Sequence, residues 1–358
     1  RRHMNPIAPA ASSRPTSAAR REERILLALT EAERRLFLLD MDSAALPDGS
    51  CLEVDMRGMD AVRWERLLRE YQPTVLVSAW ETPALPAAWL AEPDLSLRYV
   101  CHVTGAVRFL LPRSLFHRGV TVTNWGDIAS EGVAEHALLL ALASLRNLAG
   151  WQSTIRSSRQ PGRKNATAHL ETRSLQGRHV GLHGFGRVAR RLIRLLQPFD
   201  VSVHVYSQGV PADLIRDAGA TPCATPAELF ARSEVLFECE ALTPATRGSV
   251  TAAVLAALPD RAVFVNVARG AIIDEQALLK EAKSGRIRIA LDVVVNDPIG
   301  LDDPLLTAAD GVFSPHIAGP THDCFPRCGR HALDNLRRYL NGEPLESVVT
   351  PEIYDRST

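Results

Sequence analysis

The segment Leu182–Ala189, which reads LHGFGRVA, decides the fold of this chain. Gly184 and Gly186 lie between an apolar strand predicted over Arg178–His183 and a helix that begins directly after them. Residues without side chains let a pyrophosphate approach the main chain, and the helix N-terminus adds unpaired N–H groups and the positive end of a dipole. Ala189 replaces the third glycine of the fingerprint, which the fingerprint tolerates. The segment therefore predicts a dinucleotide-binding turn, with an ordinary strand-to-helix turn as the alternative, and its cofactor-binding residues are Gly184, Phe185, Gly186, Arg187 and Val188.

The sequence leaves the choice between NAD and NADP open. A second strand, Val201–Tyr206, ends where the fingerprint expects an acid, and the chain has Ser207 there. In NAD-selective sites a carboxylate accepts hydrogen bonds from the adenosine ribose, whereas NADP sites replace it and usually add an arginine for the phosphate. Ser207 neither repels a 2′-phosphate nor attracts one, and the next cation along the chain is Arg216. We therefore predict NAD or NADP as the cofactor and include Ser207 among the cofactor-binding residues.

Strands and helices alternate along the whole chain. The order of strand, glycine turn, helix and strand is typical of a doubly wound parallel sheet, so we predict an α/β fold. A long helix over Ser130–Leu148 separates two such units, and a last helix is predicted over Pro326–Leu340. The predicted strands are Ile25–Leu29, Val75–Ser78, Leu97–Val103 and Val120–Thr123 in the first unit, and Arg178–His183, Val201–Tyr206, Val235–Cys239, Ala262–Val267, Ile287–Val293 and Val312–Ser314 in the second.

Composition limits the partners and the compartment. A chain of 358 residues is long enough for two domains, and its formal charge of zero gives no reason to expect nucleic acid or a membrane surface as a partner. The most apolar stretch, Ala137–Leu145, is too short to span a bilayer, and the N-terminus lacks the apolar core of a secretion signal. Six scattered cysteines fit a reducing compartment better than a disulfide framework. We expect a soluble cytoplasmic protein with no nucleic-acid or membrane partner.

Two further segments are interpreted without a functional role. Residues 1–21 begin with what looks like a tag remnant, Arg1–Met4, and continue as a tail rich in Ala, Ser, Pro and Arg, which we predict to be disordered. Cys324, Cys328 and His331 share one face of the last predicted helix. Their spacing matches no familiar zinc motif, so we favour helix packing over a metal site and predict no bound metal.

The candidates for chemistry follow the last three predicted strands. Arg269, Asp297 and His316 each come shortly after a strand ends. In an open α/β sheet the carboxyl ends of the strands lie along one crevice, which also holds the glycine turn. An arginine, an acid and a histidine are therefore expected to converge beside the cofactor. A surface ion pair for the arginine and a structural or solvated histidine are the alternatives.

Several motifs in consistent order resemble the D-isomer-specific 2-hydroxyacid dehydrogenases, the family of phosphoglycerate, glycerate and D-lactate dehydrogenases. The resemblance extends from about Val75 to Asn341. Several motifs in the right order are far more specific than any one of them. The segments that carry the resemblance are Gly132–His136, Gly184–Arg187, Leu242–Gly248, Val265–Gly270 and Ser314–Thr321.

The resemblance implies two doubly wound α/β domains with catalysis in the cleft between them. Residues 22–124 and 319–358 would form a discontinuous, flavodoxin-like substrate domain, and residues 125–318 an inserted Rossmann dinucleotide-binding domain. It also implies a homodimer in which the helix Ser130–Leu148 contributes to the contact.

By the same resemblance, Arg269, Asp297 and His316 are the catalytic residues. His316 would donate a proton to the carbonyl oxygen during reduction and withdraw it during oxidation, and Arg269 would hold the substrate carboxylate and polarise the carbonyl. Asp297 stands where the family usually has Glu; a carboxylate there favours the protonated ring. The remaining cofactor-binding positions implied are Leu242, Thr243, Val267, Ala268, Arg269, Asp292, His316, Ala318 and Gly319.

The loop Val103–Arg108 departs from the family pattern, which commonly reads Gly-Val-Gly-x-Asp and binds the substrate carboxylate through its amides. Gly105 and Ala106 keep small side chains, so we predict that they bind substrate together with Arg108 and Arg269. Arg108 replaces an acid. It would either recognise a further anionic group on the substrate or form a surface ion pair, and the sequence leaves both open.

The function we predict is an oxidoreductase that transfers a hydride between a nicotinamide cofactor and a D-2-hydroxy acid or 2-oxo acid. The first alternative is an NAD(H)-sensing or corepressor-like protein of the same fold with little or no turnover. The second is another enzyme that holds NAD tightly, for instance to process a thioether, and it leaves Arg269 and His316 unexplained.

Overall fold

A computed structural model describes residues 23–38, 51–157, 171–297, 299–308 and 311–356. Two parallel β-sheets form the framework, one of five strands in the order β2-β1-β3-β4-β5 and one of seven in the order β12-β11-β10-β9-β6-β7-β8. The strands are β1 Ile25–Ala28, β2 Cys51–Val54, β3 Val75–Ser78, β4 Tyr99–His102, β5 Thr121–Thr123, β6 His179–His183, β7 Ser202–Tyr206, β8 Thr221–Pro222, β9 Val235–Glu238, β10 Val263–Asn266, β11 Arg288–Leu291 and β12 Val312–Phe313. The fold class predicted from the sequence is confirmed.

Helices connect most of the consecutive parallel strands, as parallel sheets require, whereas β4–β5 and β11–β12 are connected through the 3-10 helices Arg113–Arg118 and Pro304–Thr307. The α-helices are α1 Glu31–Phe37, α2 Ala61–Tyr71, α3 Ala87–Leu90, α4 Ile128–Leu145, α5 Leu148–Ser157, α6 Arg187–Leu196, α7 Ala212–Asp217, α8 Pro226–Arg232, α9 Ala252–Ala256, α10 Glu275–Lys283, α11 Phe325–Asn341 and α12 Pro351–Arg356.

The first sheet is formed by the N-terminal part of the chain, and the last two helices of the chain pack against it. Its strand order, 2-1-3-4-5, is the flavodoxin-like order. Helix α11 packs on one face through Cys328, Ala332 and Leu336, and Tyr354 of α12 packs on the other. Contacts of this kind are what the predicted discontinuous domain requires, although its boundaries stay a prediction.

The second sheet changes direction at β6. From β6 the chain moves outward to β7 and β8, and then crosses to β9 on the opposite side of β6. Such a switch point opens a crevice at the carboxyl ends of the strands. The glycine turn follows β6 directly, and therefore lies in this crevice.

The prediction of one long helix over Ser130–Leu148 is wrong at the C-terminal end of the helix. Helix α4 stops at Leu145, and α5 begins at Leu148. Between them Asn147 has a φ of 51°, in the left-handed region that asparagine tolerates better than most residues. A helix cannot continue through that conformation, so the chain turns there.

Helix α4 is also long and apolar enough, by length and composition, to cross a membrane. Length and composition are weak evidence for a membrane span because the core helix of a soluble protein can have both. Ala134, Ala137, Leu140 and Ala141 are buried in the same hydrophobic cluster as residues of β6 and α6. We therefore interpret α4 as a core helix of the second sheet.

Two short edge strands, β2 and β8, were not expected from the sequence. Each lies at the edge of its sheet, and β8 has two residues, one of them proline. Such strands have too little apolar periodicity to be recognised. The predicted tail, residues 1–21, lies outside the described residues.

Candidate active site

The glycine turn fits a pyrophosphate. Gly184 has a φ of +100°, and a Cβ there would lie 2.7 Å from the backbone nitrogen of Glu240, so no larger residue is accommodated. A Cβ on Gly186 would have no neighbour within 4 Å, which leaves the space above this glycine open. Gly186 also precedes helix α6 without a side-chain cap, so the first N–H groups of that helix are available to an anion. Arg187 and Val188, also predicted to bind the cofactor, form the first turn of α6.

Three adjacent strands bring the predicted catalytic residues to one edge. In the register of the sheet, Asn266 of β10 lies opposite Leu291 of β11, which lies opposite Phe313 of β12. Arg269 and His316 each come three residues after the end of β10 and β12, and Asp297 comes six residues after β11. Neighbouring strands are about 4.8 Å apart, so side chains that follow them meet.

His316 and Asp297 are in direct contact. Nδ1 of the imidazole hydrogen-bonds Oδ2 of the carboxylate. The His316 side chain is 43% exposed and that of Asp297 is 26% exposed, so the pair stands at the wall of the crevice rather than in the core. With Nδ1 held by the carboxylate, Nε2 is the ring atom that can meet a substrate oxygen.

Arg269 lies close enough to Asp297 for the carboxylate to affect the pKa of the guanidinium. Burial lowers the pKa of the Arg269 guanidinium, and the Asp297 carboxylate opposes that shift. The next residue, Gly270, explains how the two loops approach, since a Cβ there would lie 2.0 Å from the carbonyl carbon of Val294. The three residues predicted from the sequence are therefore brought together around Asp297.

Asp292 organises the turn that carries His316. Its Oδ1 accepts hydrogen bonds from Ser314 Oγ at 2.6 Å and from the amide of Ile317 at 2.9 Å. Its Oδ2 accepts from the amide of Ala318 at 3.0 Å. Burial acts to raise the pKa of Asp292, but hydrogen bonds from His136, Ser314 and the two amides hold it below its usual range.

His316 itself has a φ of 55°, an uncommon conformation for a residue with a side chain. Its amide donates to the carbonyl oxygen of Asp292 at 2.9 Å. The turn between β12 and the following loop is thus held on both sides by Asp292. We interpret Asp292 as a positioning residue, and its predicted contact with the cofactor stays a prediction.

His136 is a residue of this network that sequence reasoning left out of the site. It lies on α4, and its Nε2 is 2.8 Å from Ser314 Oγ although 178 positions separate the two residues. The motif Gly132–His136 was a signal that could have found it. Gly132 of the same motif packs closely against the loop that follows His316, since a Cβ on this glycine would be 3.1 Å from the carbonyl oxygen of Gly319.

The other predicted cofactor residues also lie at the carboxyl edge of the second sheet. Leu242 and Thr243 follow β9, in a loop closed by Thr246, whose hydroxyl donates to the carbonyl oxygen of Ala241 at 2.6 Å. Val267 and Ala268 follow β10, and the Ala268 amide donates to Asn266 Oδ1 at 3.0 Å. Phe185 is buried beneath the guanidinium of Arg190, and Ala318 and Gly319 follow β12.

The predicted substrate loop lies at the end of β4. A Cβ on Gly105 would lie 2.6 Å from Nε1 of Trp125, so this indole covers the loop and requires glycine there. The guanidinium of Arg108 lies 5.8 Å from the centre of the Tyr354 ring. There it contributes to lowering the pKa of Asp355, after the larger effect of Arg113. The predicted contact of Arg108 with the substrate stays a prediction.

A buried charge pair supports the loop after β9, and the sequence analysis missed it. Nδ1 of His183, the last residue of β6, lies 2.6 Å from Oε2 of Glu238, the last residue of β9. Burial disfavours the charged ring, but the Glu238 carboxylate raises the pKa of His183 above its ordinary value. The other oxygen of Glu238 accepts the amide of Glu240 at 2.9 Å.

Among the residues that the structure describes, no three His, Cys, Asp or Glu side chains are grouped so that they could hold a metal ion. Cys328 is buried in the cluster that joins α11 to the first sheet, and burial raises its pKa to about 12. His331 instead pairs with Ser347, at 3.0 Å.

Comparison with known proteins agrees with this geometry. The family model for the D-isomer specific 2-hydroxyacid dehydrogenase NAD binding domain matches residues 138–318. The chain belongs to this family. The match covers the seven-stranded sheet and the segments that carry Arg269, Asp297 and His316, and it confirms the resemblance seen in the sequence. The protein is thus an NAD(P)-dependent oxidoreductase of the D-2-hydroxyacid dehydrogenase type.

Individual members of the D-2-hydroxyacid dehydrogenase family are distant from this chain. It is 30% identical over 233 residues to the D-3-phosphoglycerate dehydrogenase of Methanocaldococcus jannaschii. The aligned region covers 65% of this chain and 43% of that enzyme. It is 29% identical over 256 residues to the human glyoxylate reductase/hydroxypyruvate reductase, covering 71% of the chain and 77% of that enzyme. These two relatives have different named activities and are about equally similar to this chain, so the similarity does not identify its substrate.

Solved structures of D-2-hydroxyacid dehydrogenases share the whole fold. The apo D-mandelate dehydrogenase of Rhodotorula graminis aligns with a TM-score of 0.80 at 20% identity, over 92% of this chain and 98% of that one. The NADPH-dependent glyoxylate/hydroxypyruvate reductase of Sinorhizobium meliloti aligns with a TM-score of 0.73 at 26% identity, over 94% and 100%. Both sheets therefore belong to the shared architecture.

Proposed function

We propose that this protein interconverts a 2-oxo acid and a D-2-hydroxy acid, with Arg269, Asp297 and His316 as its catalytic residues. The observation that carries the proposal is the His316–Asp297 pair at the same sheet edge as Arg269 and the glycine turn. The nicotinamide, when bound, supplies or accepts the hydride at C2 of the substrate.

His316 is the proton donor for reduction in this proposal. Asp297 fixes the ring by its hydrogen bond to Nδ1, so Nε2 is directed to the carbonyl oxygen and donates the proton there. In the reverse direction the neutral Nε2 withdraws the proton from the substrate hydroxyl. A positioned general acid of this kind contributes about 10²- to 10⁴-fold to the rate.

Arg269 binds the substrate carboxylate and polarises the adjacent carbonyl. Its planar fork suits a carboxylate, and it stays charged throughout, because even a lowered arginine pKa lies far above neutrality. The nearby Asp297 carboxylate partly balances this charge. The amides of Gly105 and Ala106 are the partners we propose for the other side of the substrate carboxylate.

The substrate side chain that fits this site best is apolar. Trp80 follows β3, is 43% exposed, and its ring centre lies 6.1 Å from that of Trp125 and 5.9 Å from that of Phe325. Trp125 in turn covers Gly105. An aromatic surface beside the carboxylate-binding loop favours an apolar or aromatic group on C2.

The test is to follow the absorbance of reduced nicotinamide with a panel of 2-oxo acids and both cofactors. The panel should contain glyoxylate, hydroxypyruvate, an aromatic 2-oxo acid and a dicarboxylic 2-oxo acid. We expect turnover, with the highest kcat/KM for the apolar or aromatic member and a loss of that preference in Trp80→Ala. If no member of the panel turns over although the reduced cofactor binds, the sensor function replaces this proposal.

A further inference from the structure

No acid follows β7 in the sequence, but an acid that follows another strand, β9, lies next to Ser207. Ser207 Oγ donates a hydrogen bond to Oε2 of Glu240 at 2.9 Å, although the two residues lie 33 positions apart. Strands β7 and β9 flank β6 on its two sides, so residues that follow them meet above the carboxyl end of β6. We propose that Glu240 is the residue that binds the adenosine ribose and makes this enzyme selective for NAD over NADP.

The position of Glu240 relative to the glycine turn supports the proposal. Its backbone nitrogen lies where a Cβ on Gly184 would come within 2.7 Å, so it packs directly against the first glycine. Its side chain contacts Ser207, the residue at the end of β7 where the fingerprint places its ribose acceptor. Glu240 therefore joins the two landmarks between which the adenosine ribose binds.

Glu240 has acceptor capacity for a ribose. Oε1 accepts the amide of Ala241 at 2.9 Å, and Oε2 accepts Ser207. A carboxylate has about four lone-pair positions, so about two are left for the 2′- and 3′-hydroxyls. The side chain is half-buried, which lets it act on a ligand with little screening by solvent.

The negative charge of Glu240 also supports the proposal. Within the described ranges, Glu240 has no salt-bridge partner, so its negative charge is not neutralised by a neighbouring arginine or lysine. Arg216, the nearest following cation in the sequence, pairs with Asp213 instead. A 2′-phosphate placed beside Glu240 would meet like charge, and like charge rejects a ligand more effectively than a missing contact does.

The loop that carries Glu240 is fixed from below. Glu238 accepts the Glu240 amide through Oε1 and holds His183 through Oε2. Glu238 and His183 are positioning residues in this account, because they set the backbone of Glu240 without reaching the ligand. The proposal depends on the dinucleotide site and is independent of the 2-oxo acid proposed as substrate.

The experiment measures binding, so it separates failure of this proposal from failure of the proposed function. Dissociation constants for NADH and NADPH are obtained by titration calorimetry on the full chain and on three variants. We expect the wild type to bind NADH at least about tenfold more tightly than NADPH. Glu240→Gln keeps size and a hydrogen bond to Ser207 but loses the charge, so NADPH binding should tighten about tenfold and NADH binding should weaken.

Two further variants distinguish recognition from structure. Ser207→Asp in the Glu240→Gln background returns a carboxylate to the same place and should restore the preference for NADH. Asp217→Asn removes an exposed charge from the neighbouring helix α7 without releasing Arg216 from Asp213, and should leave the ratio unchanged. Equal affinity of the wild type for both cofactors, or a ratio that Glu240→Gln changes by less than about twofold, overturns the proposal.

Discussion

Nδ1 of His316 is hydrogen-bonded to Oδ2 of Asp297, and 19 positions of the chain separate the two residues. The contact exists because β11 and β12 are adjacent and parallel, and because Asp292 anchors the turn that returns His316 towards β11. The family usually has Glu at the position of Asp297. Aspartate is one methylene shorter than glutamate, but in this structure it still reaches the imidazole ring directly.

Asp297→Asn should reduce kcat by about tenfold to a hundredfold. The amide oxygen can still accept Nδ1–H, but the stronger, charge-assisted hydrogen bond that orients the ring is lost. Asp297→Glu, which restores the usual family residue, should keep most of the activity. Steady-state kinetics of the three proteins check this, and an unchanged kcat in Asp297→Asn would contradict it.

Arg269→Lys should raise KM and lower kcat, by about 100-fold or more in kcat/KM. Lysine keeps a charge but not the two-pronged geometry that suits a carboxylate next to a carbonyl. NADH binding should change by less than about threefold, since Arg269 acts on the substrate. Steady-state kinetics and calorimetry measure the two effects separately. Loss of cofactor binding with unchanged kcat would show that the guanidinium serves the dinucleotide instead.

The His183–Glu238 pair makes stability depend on pH. His183 has a raised pKa in the folded protein, so the pair contributes fully below the unfolded value of about 6.5 and less as the pH rises through the folded value. Glu238→Gln should reduce the unfolding free energy by about 2 kcal/mol at pH 6, and by less at pH 9. Urea unfolding at both values measures this. An equal loss at pH 6 and pH 9 would mean that the ring is not charged.

The homodimer implied by the family resemblance stays a prediction. Leu139 is 55% exposed on α4, whose opposite face is buried against the second sheet. If α4 lies at the contact, Leu139→Glu should convert a dimer into a monomer without loss of helix content. Leu214→Glu, on an equally exposed leucine of α7 at 48%, is the control. Light scattering after size exclusion decides, and a monomeric wild type contradicts the prediction.

The sequence predicted the elements whose signals are local. Buried strands such as β3 and β10 each begin with three apolar residues, and the glycine turn has both a strand before it and an amphipathic helix after it. The edge strand β8 has neither length nor apolar character. The end of α4 depends on one backbone angle at Asn147, which no residue pattern predicts.

The candidate site was predicted only where a residue type is informative by itself. Arg269, Asp297 and His316 follow strands, so the topology brings them together. The network of His136, Ser314 and Asp292 depends on contacts across 178 and 22 positions, and each of these residues is ordinary in its own segment. Ser207 was noted as a position without an acid, but its contact with Glu240, 33 positions away, could be assigned only from the structure.

The most direct test of the catalytic account is the turnover of His316→Ala at a concentration of NADH that saturates both proteins. The account predicts a loss of about 100-fold or more in the rate of 2-oxo acid reduction, with the dissociation constant for NADH unchanged within about threefold. Turnover within about threefold of the wild type would contradict it, because the reaction would then take its proton from another group.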